Sequence, residues 1–151
     1  MIEGFVVTFP RGLGWEKKIE ISAFNKNFTV EIDIPKERTS DTDMRPQLEK
    51  EYYSFMAIKD EIMPSVEKAL CDYYNKMDTD EIDQDKVYMK KSYDSSNALG
   101  DIMKPTLIVF DELFEVHTII SFACGLLEET TLAVKIVNGE VVQVGREDDV
   151  H

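Results

Sequence analysis

The hydrophobic period of this chain changes from two to about 3.6 and back again, and that change limits the folds open to it. Trp15, Ile19, Ile21 and Ala23 alternate with Glu16, Lys18, Glu20 and Ser22. Phe28, Val30, Ile32 and Ile34 alternate in the same way with Asn27, Thr29, Glu31 and Asp33. Successive side chains of a strand point to opposite faces, so each segment reads as a strand with one buried and one wet face. Asn25-Lys26-Asn27 reads as the turn joining them, and Pro35 as the stop. From Leu48 the apolar step becomes three or four residues, through Tyr52, Phe55, Ile62, Val66, Leu70, Tyr73 and Met77, with Met56, Ala69 and Tyr74 beside the stripe. That is a long amphipathic helix. Pro64 lies inside it and removes one backbone donor, so a kink near Asp60 or a split into two helices is expected.

Strand patterns frame the helix. Ile2 to Phe9 is rich in β-branched and aromatic residues and stops at Pro10. After the helix, the eight residues "DTDEIDQD" read as an acidic loop, and residues 86–104 are ambiguous, with a short helix expected in "SSNALGDIMKP". "TLIVFD" and "EVHTIISFAC" read as strands. Leu132–Val137 and Glu140–Val144 should pair through Asn138-Gly139, a dipeptide suited to a type I′ turn. That turn predicts Ile136 opposite Val141 and Val134 opposite Gln143. The expected fold is α+β in the order β-β-β-α-β-β-β-β. It is an antiparallel sheet of about six to seven strands, with one long kinked or split helix packed on one face. Residues 1–151 read as a single domain.

The charge restricts what such a domain can touch. Thirty acids face seventeen bases, a net charge of −13. A field of that sign repels phosphate backbones, which disfavours nucleic acid, and attracts a basic protein or a cation. No charged-then-apolar leader opens the chain, and its longest apolar run, "IISFACGLL", is too short to cross a bilayer. The expectation is a cytoplasmic protein, off the membrane, with Cys71 and Cys124 reduced.

Several chemistries fail on spacing. Gly12-x-Gly14 follows a strand, but Lys17 stands where a dinucleotide loop needs its third glycine. No Walker loop and no G-x-S-x-G elbow occur. Laying a calcium loop on Asp78 and Asp80 puts Asp83 where glycine is required and Met89 where the bidentate glutamate belongs. His117 and Cys124 fall on opposite faces of one strand, and His151 is terminal, so no metal site and no cofactor are expected. Cys71 and Cys124 read as small buried hydrophobes. The remaining catalytic candidates are Glu128 and Glu129, adjacent in what reads as a loop, together with His117. Lys86, Lys90 and Lys91 with Tyr88 and Tyr93 read as a solvated face. In the doublets Tyr52-Tyr53 and Tyr73-Tyr74, one ring fits the stripe and its neighbour lies at the edge, where tyrosines anchor partners. Tyr53 and Tyr74, with Asp78, Asp80, Glu81, Asp83 and Asp85, are therefore the candidate partner-binding residues. Glu147, Asp148 and Asp149 read as a charged exit that protects a sheet edge.

"GLGWEKKIEISAFNKNFTVEIDI", "VEKALCDYY", "KPTLIVFD" and "CGLLEETTLAVKIVNGEVVQVGRED" together resemble a group of uncharacterised bacterial domains of unknown function. Leu126 and Leu127 stand where the pattern of that group has Trp-Asp. The resemblance covers most of the chain, implies a bacterial cytosolic protein and brings no catalytic residues with it. The expected function is a non-enzymatic interaction domain acting on a basic partner, with an immunity-type inhibitor as the analogy. The alternatives are an enzyme with an unrecognised carboxylate site and a small-ligand binder.

Overall fold

The structure is a computed structural model; it describes residues 4–8, 14–36, 43–90, 92, 93, 96–112 and 114–151, with the backbone alone for 7, 8, 96, 128 and 129. Its strands are β1 (Val6–Thr8), β2 (Gly14–Ala23), β3 (Lys26–Pro35), β4 (Met103–Asp111), β5 (His117–Cys124), β6 (Leu127–Val137) and β7 (Glu140–Arg146), and its one long helix is α1 (Pro46–Lys76). They form one sheet in sequence order. Six strands have seven or more residues, and β1 is a three-residue edge.

The fold is α+β, but the expected all-antiparallel sheet is mixed. β3 and β4 run parallel, with Ile32 opposite Ile108, while every other neighbouring pair among the described strands is antiparallel. The helix causes the exception. Thirty-one helical residues extend about 46 Å, at about 1.5 Å each, enough to carry the chain back along the sheet. The strand that follows then starts from the same end as β3 and must lie parallel to it. The sequence showed the helix as a cover, and the structure uses it as a crossover as well.

The helix is neither split nor interrupted at Pro64. Pro64 sits on its exposed side, where water can serve the Asp60 carbonyl that the proline ring leaves without a donor. Pro46 occupies the first turn, where a missing N–H costs nothing. Leu48, Phe55, Val66, Leu70 and Tyr74 pack onto Ile21, Val30, Ile32, Ile108, Phe110, Ile120, Phe122 and Val134. Phe55 and Tyr52 meet Phe110 edge-on at 5.6 and 6.1 Å between centroids.

One turn and one strand irregularity set registers that the sequence reading missed. The β2–β3 turn is Phe24-Asn25, not Asn25-Lys26-Asn27, with Ala23 opposite Lys26 and positive φ at Phe24 (53°) and Asn25 (61°). A three-residue turn would have set Ile19 opposite Asp33 and Ile21 opposite Glu31, burying acids beside the core. A turn with an even number of residues keeps the two apolar faces together, and the structure uses two. In the final hairpin, Asn138 (51°) and Gly139 (76°) have the expected positive φ, and Ile136 faces Val141. An irregularity then moves Val134 onto Val144 and Lys135 onto Gln143. The ambiguous stretch is a run of 3-10 turns, Gln84–Met89 and Ser96–Asp101, and β4 takes in Pro105.

The face away from the helix is covered at its β6–β7 end by the C-terminal tail. Val150 is buried and would lie 3.4 Å from a Cβ placed on Gly145. Lys135 Nζ donates to the His151 carbonyl at 3.2 Å and to Glu115 Oε1 at 2.9 Å.

Candidate functional site

Two clusters of carboxylates emerge, at different places on the fold. The first surrounds the C-terminal end of α1. The helix closes with Met77 N–H donating to the Tyr74 carbonyl at 3.1 Å. The acidic segment then folds as 3-10 turns, with Asp78 N–H donating to Glu81 Oε2 at 3.1 Å. Buried Ile82 anchors it, and Asp83 N–H donates to the Leu126 carbonyl at 3.2 Å. Lys86 Nζ reaches the Gly125 carbonyl at 3.1 Å. The C-terminal acids arrive at the same place. Arg146 Nη2 donates to the Glu81 carbonyl at 3.3 Å, and Thr131 Oγ1 donates to Glu147 Oε2 at 2.6 Å. The Tyr73 hydroxyl is held above its ordinary pKa first by burial, then by the charge of Glu81, with Arg146 opposing and Asp149 adding. Asp78, Asp80, Glu81, Asp83 and Asp85 thus share one pole of the molecule with Glu147, Asp148 and Asp149. Asp78, Asp80 and Asp85 are exposed, and Glu81 and Asp83 are half-buried.

The other candidates from the sequence separate. Tyr74 is fully buried (0%) and packs on Tyr93 at 5.5 Å, with Lys90 Nζ 4.1 Å from its ring centre. It is the core member of its doublet, because it stands four residues after Leu70, one turn further along the same buried stripe. Tyr73 takes the half-buried edge. Tyr53 is exposed (57%), but it lies roughly 35 Å along the helix from the acidic pole. Tyr88, 84% exposed, is the aromatic ring carried by the acidic segment. Lys91 lies outside the described residues.

The backbone of Glu128 and Glu129 belongs to β6, not to a loop, and their side chains lie outside the described set. β6 begins opposite Cys124, while His117 opens β5, so these candidates stand at opposite ends of a ladder about 20 Å long. His117 is buried, with Nδ1 2.7 Å from the Glu115 carbonyl. Burial raises the pKa of the Cys124 thiol. Neither supplies an activated nucleophile with a base beside it. Between the first half of α1 and the tip of the β6–β7 hairpin, a groove of about 540 Å³ is floored by Phe55, Thr118 and Ile136, with Thr118 Oγ1 donating to Glu51 Oε1 at 2.8 Å.

The second cluster lies on the β2–β3 hairpin, on the face away from the helix. Glu16 is directly opposite Asp33, and Glu31 lies two residues from Asp33 on the same face. Their carboxylate oxygens lie within 4.8 Å of one another. Asp33 is 7% exposed, and its Oδ1 is buried with no hydrogen-bond partner. Burial, then the charge of Glu31 and a hydrogen bond shared with it, then the charge of Glu16 push its pKa up to about 7. The sequence reading missed this triad. Part of its signal was present, since the apolar alternation puts Glu16, Glu31 and Asp33 on one face of the hairpin, but the turn that sets Glu16 opposite Asp33 was misplaced.

Residues 5–151 match the family described as Domain of unknown function (DUF6985). No curated protein and no solved structure matches the chain. A match over nearly its whole length places the chain in that family.

Proposed function

We propose that this member of the DUF6985 family is a non-enzymatic interaction domain that docks a basic protein partner through the acidic pole. One observation carries this reading: two acidic segments far apart in sequence, Asp78–Asp85 and Glu147–Asp149, are pinned to the same end of the fold through Arg146, Lys86 and Thr131. Fixed backbone attachments hold these charges in place before any partner arrives, which lowers the ordering cost of binding. Exposed Tyr88 (84%) and Met89 (44%) stand next to them, an aromatic and a soft apolar anchor of the kind found inside charged rims. A pole of one sign also steers a partner of the opposite sign, and salt screens that attraction.

The test is capture from lysate of the source cells on the immobilised chain, at low and high salt, beside the variant Asp78→Asn, Asp80→Asn, Asp85→Asn. A stoichiometric basic protein lost both at high salt and on the variant is the expected result. A partner retained by the variant, or indifferent to salt, overturns the electrostatic reading. Matching thermal transitions of the two proteins show that the variant is folded.

A further inference from the structure

We propose that Glu16, Glu31 and Asp33 form a binding site for a divalent, oxygen-preferring cation of calcium size. The site is separate from the acidic pole and does not depend on it. Like charges directly opposite in an antiparallel pair are destabilising, yet Glu16 and Asp33 face each other and Glu31 stands one pleat away. The pole spreads its acids over exposed turns, whereas here three carboxylates meet within 4.8 Å on two rigid strands.

The buried oxygen is the second observation. Asp33 is more than nine-tenths buried, and its Oδ1 has no donor within reach. A buried carboxylate oxygen without a partner is costly. The hydrogen bond shared with Glu31 engages one oxygen and leaves Oδ1 unmet. A cation placed among the three groups offsets their mutual repulsion, and one held by both oxygens of Asp33 also gives Oδ1 its partner. The donor set is oxygen only, with neither imidazole nor thiolate, which favours hard cations over zinc. The number of carboxylates favours the larger ones. Three carboxylates from two strands suit calcium, which accepts irregular coordination by several carboxylates, better than magnesium, which keeps an octahedral shell of water and is usually held by one or two. Water completes the shell, because Glu16 and Glu31 are half-buried and open to solvent. Lys18, opposite Glu31 in the register, is one competing source of positive charge, and it is exposed.

The experiment titrates the chelator-stripped full chain with calcium chloride, and separately with magnesium chloride, by calorimetry and thermal melting. The expected result is one saturable calcium site per chain and a rise in Tm of about 5 °C or more at saturation. That rise is lost in Glu16→Gln, Glu31→Gln and kept in Asp78→Asn, Asp80→Asn, Asp85→Asn. Terbium, a luminescent calcium stand-in, gives a readout on the unaltered chain, because Trp15, the only tryptophan, adjoins Glu16. Terbium emission excited through that indole and displaced by calcium supports the site. No saturable heat at millimolar calcium overturns it, as does a calcium response that survives the Glu16, Glu31 variant. Magnesium binding tighter than calcium overturns the size assignment.

Discussion

Asp33 shows how one residue can act against the fold that holds it. Its carboxyl is raised from an ordinary 3.8 to about 7, so between those values the folded chain holds a proton that the unfolded chain releases. The sign follows from linkage: this proton stabilises the fold fully below about pH 4, and that contribution is lost as pH rises through about 7. The displacement corresponds to at most about 4 kcal/mol, and solvent at half-buried Glu16 and Glu31 reduces it to about 1–2 kcal/mol. Asp33→Asn should therefore be more stable than the parent at about pH 8 by that amount, with the difference shrinking towards about pH 4. Urea melts of both proteins in EDTA across this range check it, and parallel pH profiles would show that Asp33 does not titrate in the window. Glu67 is raised in the same direction by burial, with the Phe24 N–H opposing, so its proton adds to the parent slope and is common to both proteins.

At the scale of elements, the junction between α1 and the β2–β3 turn carries a polar group inside the core. Phe24 and Asn25 adopt positive φ, a conformation that is uncommon for non-glycine residues and unfavourable for a bulky one. Two contacts hold it. The Phe24 ring is buried and meets Phe122 edge-on at 5.9 Å, and the Phe24 N–H donates to Glu67 Oε1 from the helix. Glu67→Ala leaves that buried N–H unpaired, at a cost of about 1–3 kcal/mol, and Glu67→Gln, which keeps a carbonyl acceptor, should cost less. Chemical denaturation of the three proteins decides. An alanine variant as stable as the parent would mean that water reaches the turn and serves the Phe24 N–H. The same junction explains why the turn was misread. Asn-Lys-Asn has turn composition, while Phe24 is placed by a ring-filling core contact that no local rule reports.

For the molecule as a whole, the net charge of −13 predicts a thermal transition that rises with added sodium chloride. Screening shortens the range of the self-repulsion to about 8 Å at physiological ionic strength. Scanning calorimetry across salt concentrations, with chelator present, checks it, and a Tm that falls with salt would mean that net attraction between surface charges dominates. The sequence by itself determined the fold class, the long helix, the terminal Asn138-Gly139 hairpin and the inward face of β2 and β3. These follow from the period of apolar residues and from backbone preferences, which are local properties. It also held the parity of the β2–β3 register, through the rule that apolar faces must align, although turn composition pointed elsewhere. Only the tertiary structure decided the parallel β3–β4 pair, the buried place of Tyr74, the separation of His117 from Glu128 and Glu129, and the meeting of two acidic segments at Arg146. Each depends on where the helix returns the chain and on which strands become neighbours, and such contacts between distant residues leave no period in the sequence.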